Sequence, residues 1–110
     1  MPTFITYASY SPTGVKGLIA KLEDRSAIVG KLIEKAGAKM IAFYNTTGSN
    51  DVVVISEAPD GETGVAIGMA VASTGTLSRI ETVRAWTGAE FVAISKKAGG
   101  LVGAFTPPGS

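Results

Sequence analysis

The run "DVVVIS" constrains this chain more than any other stretch, because Val52 to Ile55 are apolar without alternation. A strand with one face in water alternates polar and apolar residues; an unbroken run marks a strand covered on both faces, and so a central one. Before it, "TTGSND" supplies the glycine, serine and asparagine of a tight turn. After it, Pro59 ends the strand and Asp60 is placed to cap a helix. The rest of the chain must therefore provide a neighbour on each side of this strand and a cover for each face.

The neighbours are readable from residue type. "TFITYASY", Thr3 to Tyr10, is rich in β-branched and aromatic residues and forms a first strand. Ser11 then caps a helix whose first position, Pro12, needs no N–H partner. Val15, Leu18, Ile19, Leu22, Val29, Leu32, Ile33 and Ala36 give that helix one apolar stripe. The stripe breaks at Arg25 and Ser26, where Asp24 could cap a second piece, so the segment is one long helix or two. Gly37 ends it, and "AKMIAFYNT" is the second strand. The helix after Asp60 carries Gly64, Gly68 and Ala72 four apart on one face and ends at Gly75, a pattern that implies close packing on a sheet or a partner. "TLSRIETVRAW", Thr76 to Trp86, is the fourth strand, and Thr87 with Glu90 forms a capping box for a last helix ending in Lys96, Lys97 and Gly99.

The order βαββαβ plus one helix predicts an α+β, ferredoxin-like antiparallel sheet with helices on one face. A single domain spans 1–98, followed by a Gly/Pro-rich tail, 99–110. In that tail "TPPGS" is expected to be mobile, while Leu101, Val102 and Phe105 reach back onto the body or onto a partner. Hydrophobic residues are 45% and charged residues 17% of 110, more apolar than a small monomer needs. The excess points to a subunit interface, and a second copy of the sheet is the simplest cover for the open face. The chain is thus expected to be a homodimer.

What chemistry the chain can carry is bounded by two missing residue types. With neither cysteine nor histidine there is no disulfide, thiolate nucleophile, imidazole metal ligand or histidine base, and no metal or other cofactor is expected. Ten basic residues against nine acidic ones leave a net charge of +1 with no basic stripe, which argues against a nucleic-acid partner. No stretch approaches the ~20 apolar residues of a membrane span, and no cationic leader precedes an apolar run, so a cytoplasmic location is expected.

"MPTFITYASY", "GVK" at Gly14 to Lys16, "EKAGAKM", "TTGSNDVVVISEAPD" and "RAWTGAEF" together resemble the GYD-domain family, small and mostly bacterial proteins akin to the dimeric α/β-barrel group. The resemblance covers roughly Met1 to Lys97. The family's Gly-x-Tyr-Asp turn stands here as Gly48-Ser49-Asn50-Asp51, with Asn50 in place of the tyrosine. Asparagine tolerates the same turn conformations, which favours a structural role for the signature. The resemblance implies a homodimer with facing sheets and offers no defined substrate. The barrel group at large includes cofactor-free monooxygenases, isomerases, haem enzymes and ligand sensors.

Four positions invite a functional reading. Asp51 could be a general base, or could bond backbone N–H groups as aspartates at turns do. Arg84 and Trp86 could bind a carboxylate and stack an aromatic ring, with Tyr7, Tyr44 and Phe4 lining the same cavity; equally, they could form an intersubunit ion pair and a core anchor. Pro2, exposed after removal of Met1, could serve as an N-terminal amine base in the manner of tautomerases. The glycines at 61, 64 and 68 lack the order of a nucleotide fingerprint, and Glu57, Asp60 and Glu62 would repel a phosphate there. The expected function is a small-molecule-binding or scaffold dimer, or alternatively a cofactor-independent monooxygenase, isomerase or Pro2 tautomerase.

Overall fold

A computed structural model describes residues 1–109. Ser110, the end of the segment expected to be mobile, lies outside the described residues. Four strands, β1 (Thr3–Tyr10), β2 (Lys39–Asn45), β3 (Val52–Glu57) and β4 (Leu77–Ala85), make one antiparallel sheet in the order β2-β3-β1-β4. The unbroken valine run therefore lies inside the sheet, between β2 and β1, and the α+β ferredoxin-like order read from the sequence is the order found.

Four helices accompany the strands: α1 (Pro12–Ala20), α2 (Arg25–Lys35), α3 (Gly61–Ala72) and α4 (Gly88–Gly99). The first helical segment is two helices, because Asp24 accepts the Ser26 N–H at 2.9 Å and starts α2 afresh. At α1, Ser11 Oγ accepts from Gly14 N at 3.1 Å and donates to the Gly75 carbonyl at 2.7 Å, while Ser11 N donates to Thr76 O at 2.9 Å. One cap thus fastens α1 to the start of β4. Gly14 is buried at that junction, where a Cβ would overlap the Thr76 carbonyl oxygen. Gly37 and Gly75 close α2 and α3 with φ of +83° and +73°, as their positions required.

The single apolar stripe expected along the first helical segment is divided. Ile33 of α2 is only 3% exposed and Val29 packs on the core, whereas Leu22, in the break, is 89% exposed and Ile19 stays in water. The break after α1 is the physical reason: α1 is buried through its first turn alone, at Gly14, so its far end is carried away from the sheet.

The core lies on one face of the sheet. Phe4 and Ala8 of β1 and Val52 and Val54 of β3 meet Ile33, Ala38 and Ala58, with Ile67 of α3 and Ile80 of β4 packed against them. Each large apolar side chain in this cluster contributes roughly 1.5–3 kcal/mol on full burial. Register places Ile5 beside Ile55 and Val83, and Tyr7 beside Val53 and Glu81, on the other face. That face has no helix over it, and Tyr44 and Val83 are exposed there.

α4 stands apart. None of its residues is buried, and the main helix packing on the sheet comes from the other three helices. The radius of gyration is 17.8 Å, with extents of 60 × 33 × 23 Å, against about 13 Å for a compact chain of this length. The chain continues through a 3-10 turn at Val102–Ala104, and Leu101, Val102 and Phe105 are exposed, so they do not reach back onto their own body. Among the described residues, no helix is long and apolar enough to cross a membrane.

Candidate functional site

The Gly48–Asp51 turn is tied into the sheet through three of its residues. Asp51 Oδ2 accepts the Tyr10 backbone N–H at 2.9 Å, and Asp51 N donates to Ala8 O at 2.8 Å. Ser9 Oγ donates to Ser49 O at 2.9 Å, and Asn50 Oδ1 accepts from Arg79 Nη1 at 3.0 Å. Gly48 has φ +93°, a left-handed conformation that glycine adopts without strain. Asp51 thus bonds backbone N–H, and the turn pins β3 to the end of β1 across 41 residues of sequence.

At the opposite end of the sheet Arg84 and Trp86 do come together. The Arg84 guanidinium lies 4.7 Å from the Trp86 ring centroid and 5.8 Å from that of Phe4. Its Nη1 donates to the Thr3 carbonyl at 3.1 Å and to the Ala85 carbonyl. The planar fork therefore clamps the start of β1 to the end of β4 while stacking on the indole. Just beyond, Thr87 Oγ1 accepts from Glu90 N at 3.0 Å and Glu90 Oε1 accepts from Thr87 N at 2.8 Å. The Thr87 backbone N–H is the chief reason that the Glu90 carboxyl is held below the usual carboxylate range; the nearby Arg84 charge adds to it.

Tyr7 and Tyr44 are elsewhere. Both sit on the open face, opposite the side that holds Phe4, and both flank Val53 in the register. They do not share a cavity with Arg84. Pro2 precedes β1, half-buried, and its carbonyl accepts the Ala58 N–H at 3.0 Å.

An apolar hollow lies between the helix-facing side of the sheet and the pair α2 and α3. Its volume is about 110 Å³. Phe4, Val29, Ile33, Val54, Ile67 and Ile80 make it apolar. Its central polar feature is a pair of hydroxyls, Thr6 Oγ1 and Thr82 Oγ1, 2.9 Å apart. These two threonines face each other in the β1–β4 register, flanked on their own strands by core residues Phe4, Ala8 and Ile80. A polar residue in a core-facing register was the available signal. Gly64 of α3 lines the space, and a Cβ there would make only ordinary contact, at 3.9 Å from Thr82; one on Gly68 would lie 3.7 Å from Ile80.

A second hollow of about 240 Å³ separates α1 from the start of α2. Its charges answer one another: Glu23 lies 2.8 Å from Arg25 and 3.5 Å from Lys21, and the Arg25 hydrogen bond holds its carboxyl below the ordinary range. Among the described residues, no three acidic side chains converge in a group able to hold a metal ion.

Among solved structures, TTHA0845 from Thermus thermophilus is similar at 19% identity, covering 79% of this chain and 95% of that one, with a TM-score of 0.50. That likeness shows the fold. An uncharacterized NIPSNAP domain protein from Burkholderia xenovorans shares 16% identity over 81% of this chain and 96% of its own, with a TM-score of 0.49. No curated protein matches. The family model of the GYD domain matches residues 4–94, which takes in nearly the whole sheet, the signature turn and the first half of α4: the chain belongs to the GYD domain family.

Proposed function

We propose that this protein is a homodimeric domain that binds a small, mostly apolar molecule in the hollow between the sheet and helices α2 and α3. The observation that carries the reading is that hollow of about 110 Å³, apolar around the Thr6–Thr82 pair. Thr82 is exposed, so the hollow opens to solvent there and a ligand can enter, and an apolar enclosure of about 150 Å³ is known to take benzene. The ligand class that fits is an alkyl or aromatic group carrying one hydroxyl or carbonyl for the threonine pair. Arg84 and Trp86 act as a structural clamp in this reading, since the guanidinium is already shared among two carbonyls and an indole.

Benzyl alcohol and toluene are suitable probes. Calorimetric titration of the full chain is expected to show saturable binding of both, tighter for the alcohol. The double variant Thr6→Val, Thr82→Val keeps the volume and removes both hydroxyls, so it should abolish the preference and leave toluene binding unchanged. No binding of either probe up to its solubility would refute the reading.

A further inference from the structure

The apolar hollow is long, and its charge sits at one end. Along β1 the wall is made by Phe4, Thr6, Ala8 and Tyr10, alternate residues of one strand face. The six residue steps from Phe4 to Tyr10, at ~3.3 Å each, span roughly 20 Å. In the antiparallel register Thr82 lies beside Thr6 and Leu77 beside Tyr10, so the β4 wall runs along the β1 wall to the same end. Arg25, the first residue of α2, closes that end together with Tyr10 and Thr76. Among the described residues that line the hollow, Arg25 is the only charged one, and none is acidic. A groove of this length suits a chain better than a single ring.

Arg25 also lines the second hollow, of about 240 Å³, again with Tyr10 and Thr76, so its guanidinium stands where the two spaces meet. The residue is half-buried, and its Nη1 donates to Glu23 Oε1 at 2.8 Å. Among the described residues no acceptor takes Nε or Nη2, so most of the five donors of the planar fork are unused. Lys21 Nζ lies 3.5 Å from the other Glu23 oxygen. Asp24, the next acid along, is turned to the Ser26 N–H at 2.9 Å. A carboxylate thus already lies between a guanidinium and an ammonium at the mouth of an apolar groove, and the guanidinium has donors left for another.

We propose that the ligand of this hollow is a linear acyl carboxylate, its chain lying along β1 and its carboxylate on Arg25, with Lys21 adding positive charge from outside. The inference rests on the reading of the hollow as an apolar ligand site and names the ligand's class. The apolar wall of Val29, Ile33, Val54 and Ile67 takes the chain. The Thr6–Thr82 pair receives a hydroxyl or carbonyl carried further along it. A carboxylate matches the planar fork in two parallel hydrogen bonds, and partial burial of Arg25 lessens screening by water and salt. Glu23 then acts as a competitor that holds Arg25 in place while the groove is empty.

The test is calorimetric titration of the full chain at neutral pH with octanoate and with octanol, which share a chain and differ in head group. Octanoate is expected to bind at least ~10-fold more tightly. Arg25→Gln, checked for folding by circular dichroism, should reduce that preference to less than about twofold. Glu23→Gln removes the competing carboxylate and should widen the preference, a gain that a variant merely damaged in its fold would not give. Octanol binding with no preference for octanoate would overturn the carboxylate inference and leave the apolar site standing. A preference that survives in Arg25→Gln, or one that narrows in Glu23→Gln, would overturn the placement of the carboxylate on Arg25. Binding of neither probe would overturn this inference together with the reading of the hollow on which it rests.

Discussion

Helices α2 and α4 begin with nearly the same instructions and end in different environments. They are 11 and 12 residues long, each is capped by its own preceding side chain, Asp24 or Thr87, and each carries lysine in its last turn. Each has an apolar stripe. Yet α2 buries Ile33 in the core of the sheet, while α4 buries nothing. The difference lies in the connections. A four-residue break, Lys21 to Asp24, lets α2 turn back onto β2 and the core of the sheet, whereas α4 leaves β4 through two residues locked by Arg84 and the capping box. An amphipathic pattern states that a helix needs a cover; the link before it decides whether its own chain can give one.

The most severe way to separate the two regions is to place a charge in each. Val54→Asp buries an unpaired carboxylate in the central strand, a loss of several kcal/mol, and is expected to leave no folded protein by circular dichroism. Phe105→Asp should leave the helix and strand signal intact. A folded, soluble Val54→Asp variant would contradict the central position of β3.

Truncation sharpens the same contrast. Ile33→Ala should cost about 2–5 kcal/mol in urea unfolding, and Ile94→Ala less than about 0.5 kcal/mol when measured at low protein concentration. Equal losses would mean that α4 packs on its own body. Two glycines give smaller effects of opposite sign. Gly14→Ala drives a methyl into the Thr76 carbonyl and should destabilise by about 1–3 kcal/mol. Gly68→Ala meets only ordinary contact at Ile80, so better helix propensity should stabilise α3 by about 0.4–1 kcal/mol. If both glycine variants moved melting temperature the same way, the packing described at one of the two sites would be wrong.

The smallest effect concerns the α4 cap. Glu90 is held below the usual carboxylate range mainly by the Thr87 N–H, so the folded pKa is depressed. Its contribution is therefore complete above the unfolded value, about 4.3, and is lost as pH falls through the lower folded value. Glu90→Gln should reduce helix content slightly at neutral pH, and the difference from the parent should vanish in an acid titration by circular dichroism. A difference that persisted at the acid end would show that the carboxylate charge is not what the cap uses.

Much of this architecture was written in local chemistry. Ser11, Asp24, Asp60 and Thr87 all cap helices through their own side chains, and the unbroken run at Val52 to Ile55 took an interior place in the sheet. These features depend on residues within a turn of one another, so a linear reading reaches them. The hollow did not yield in the same way. Thr6 and Thr82 are 76 residues apart and become a pair only through the β1–β4 register. Tyr7 and Tyr44 looked like companions of Arg84 because aromatic residues suggest a pocket, but strand alternation put Tyr7 and Phe4 on opposite faces. The division of the first apolar stripe between α2 and exposed α1 likewise depended on where the chain turned, not on the stripe.

The most direct measurement is amide hydrogen exchange by mass spectrometry at two protein concentrations, comparing α2 with the open sheet face. Amides of α2 should be protected equally at both, because its cover lies within the chain. Amides of the edge strands β2 and β4 should gain protection at the higher concentration and lose it on dilution. Exchange of β2 and β4 that does not change with concentration would contradict a homodimer that covers this face.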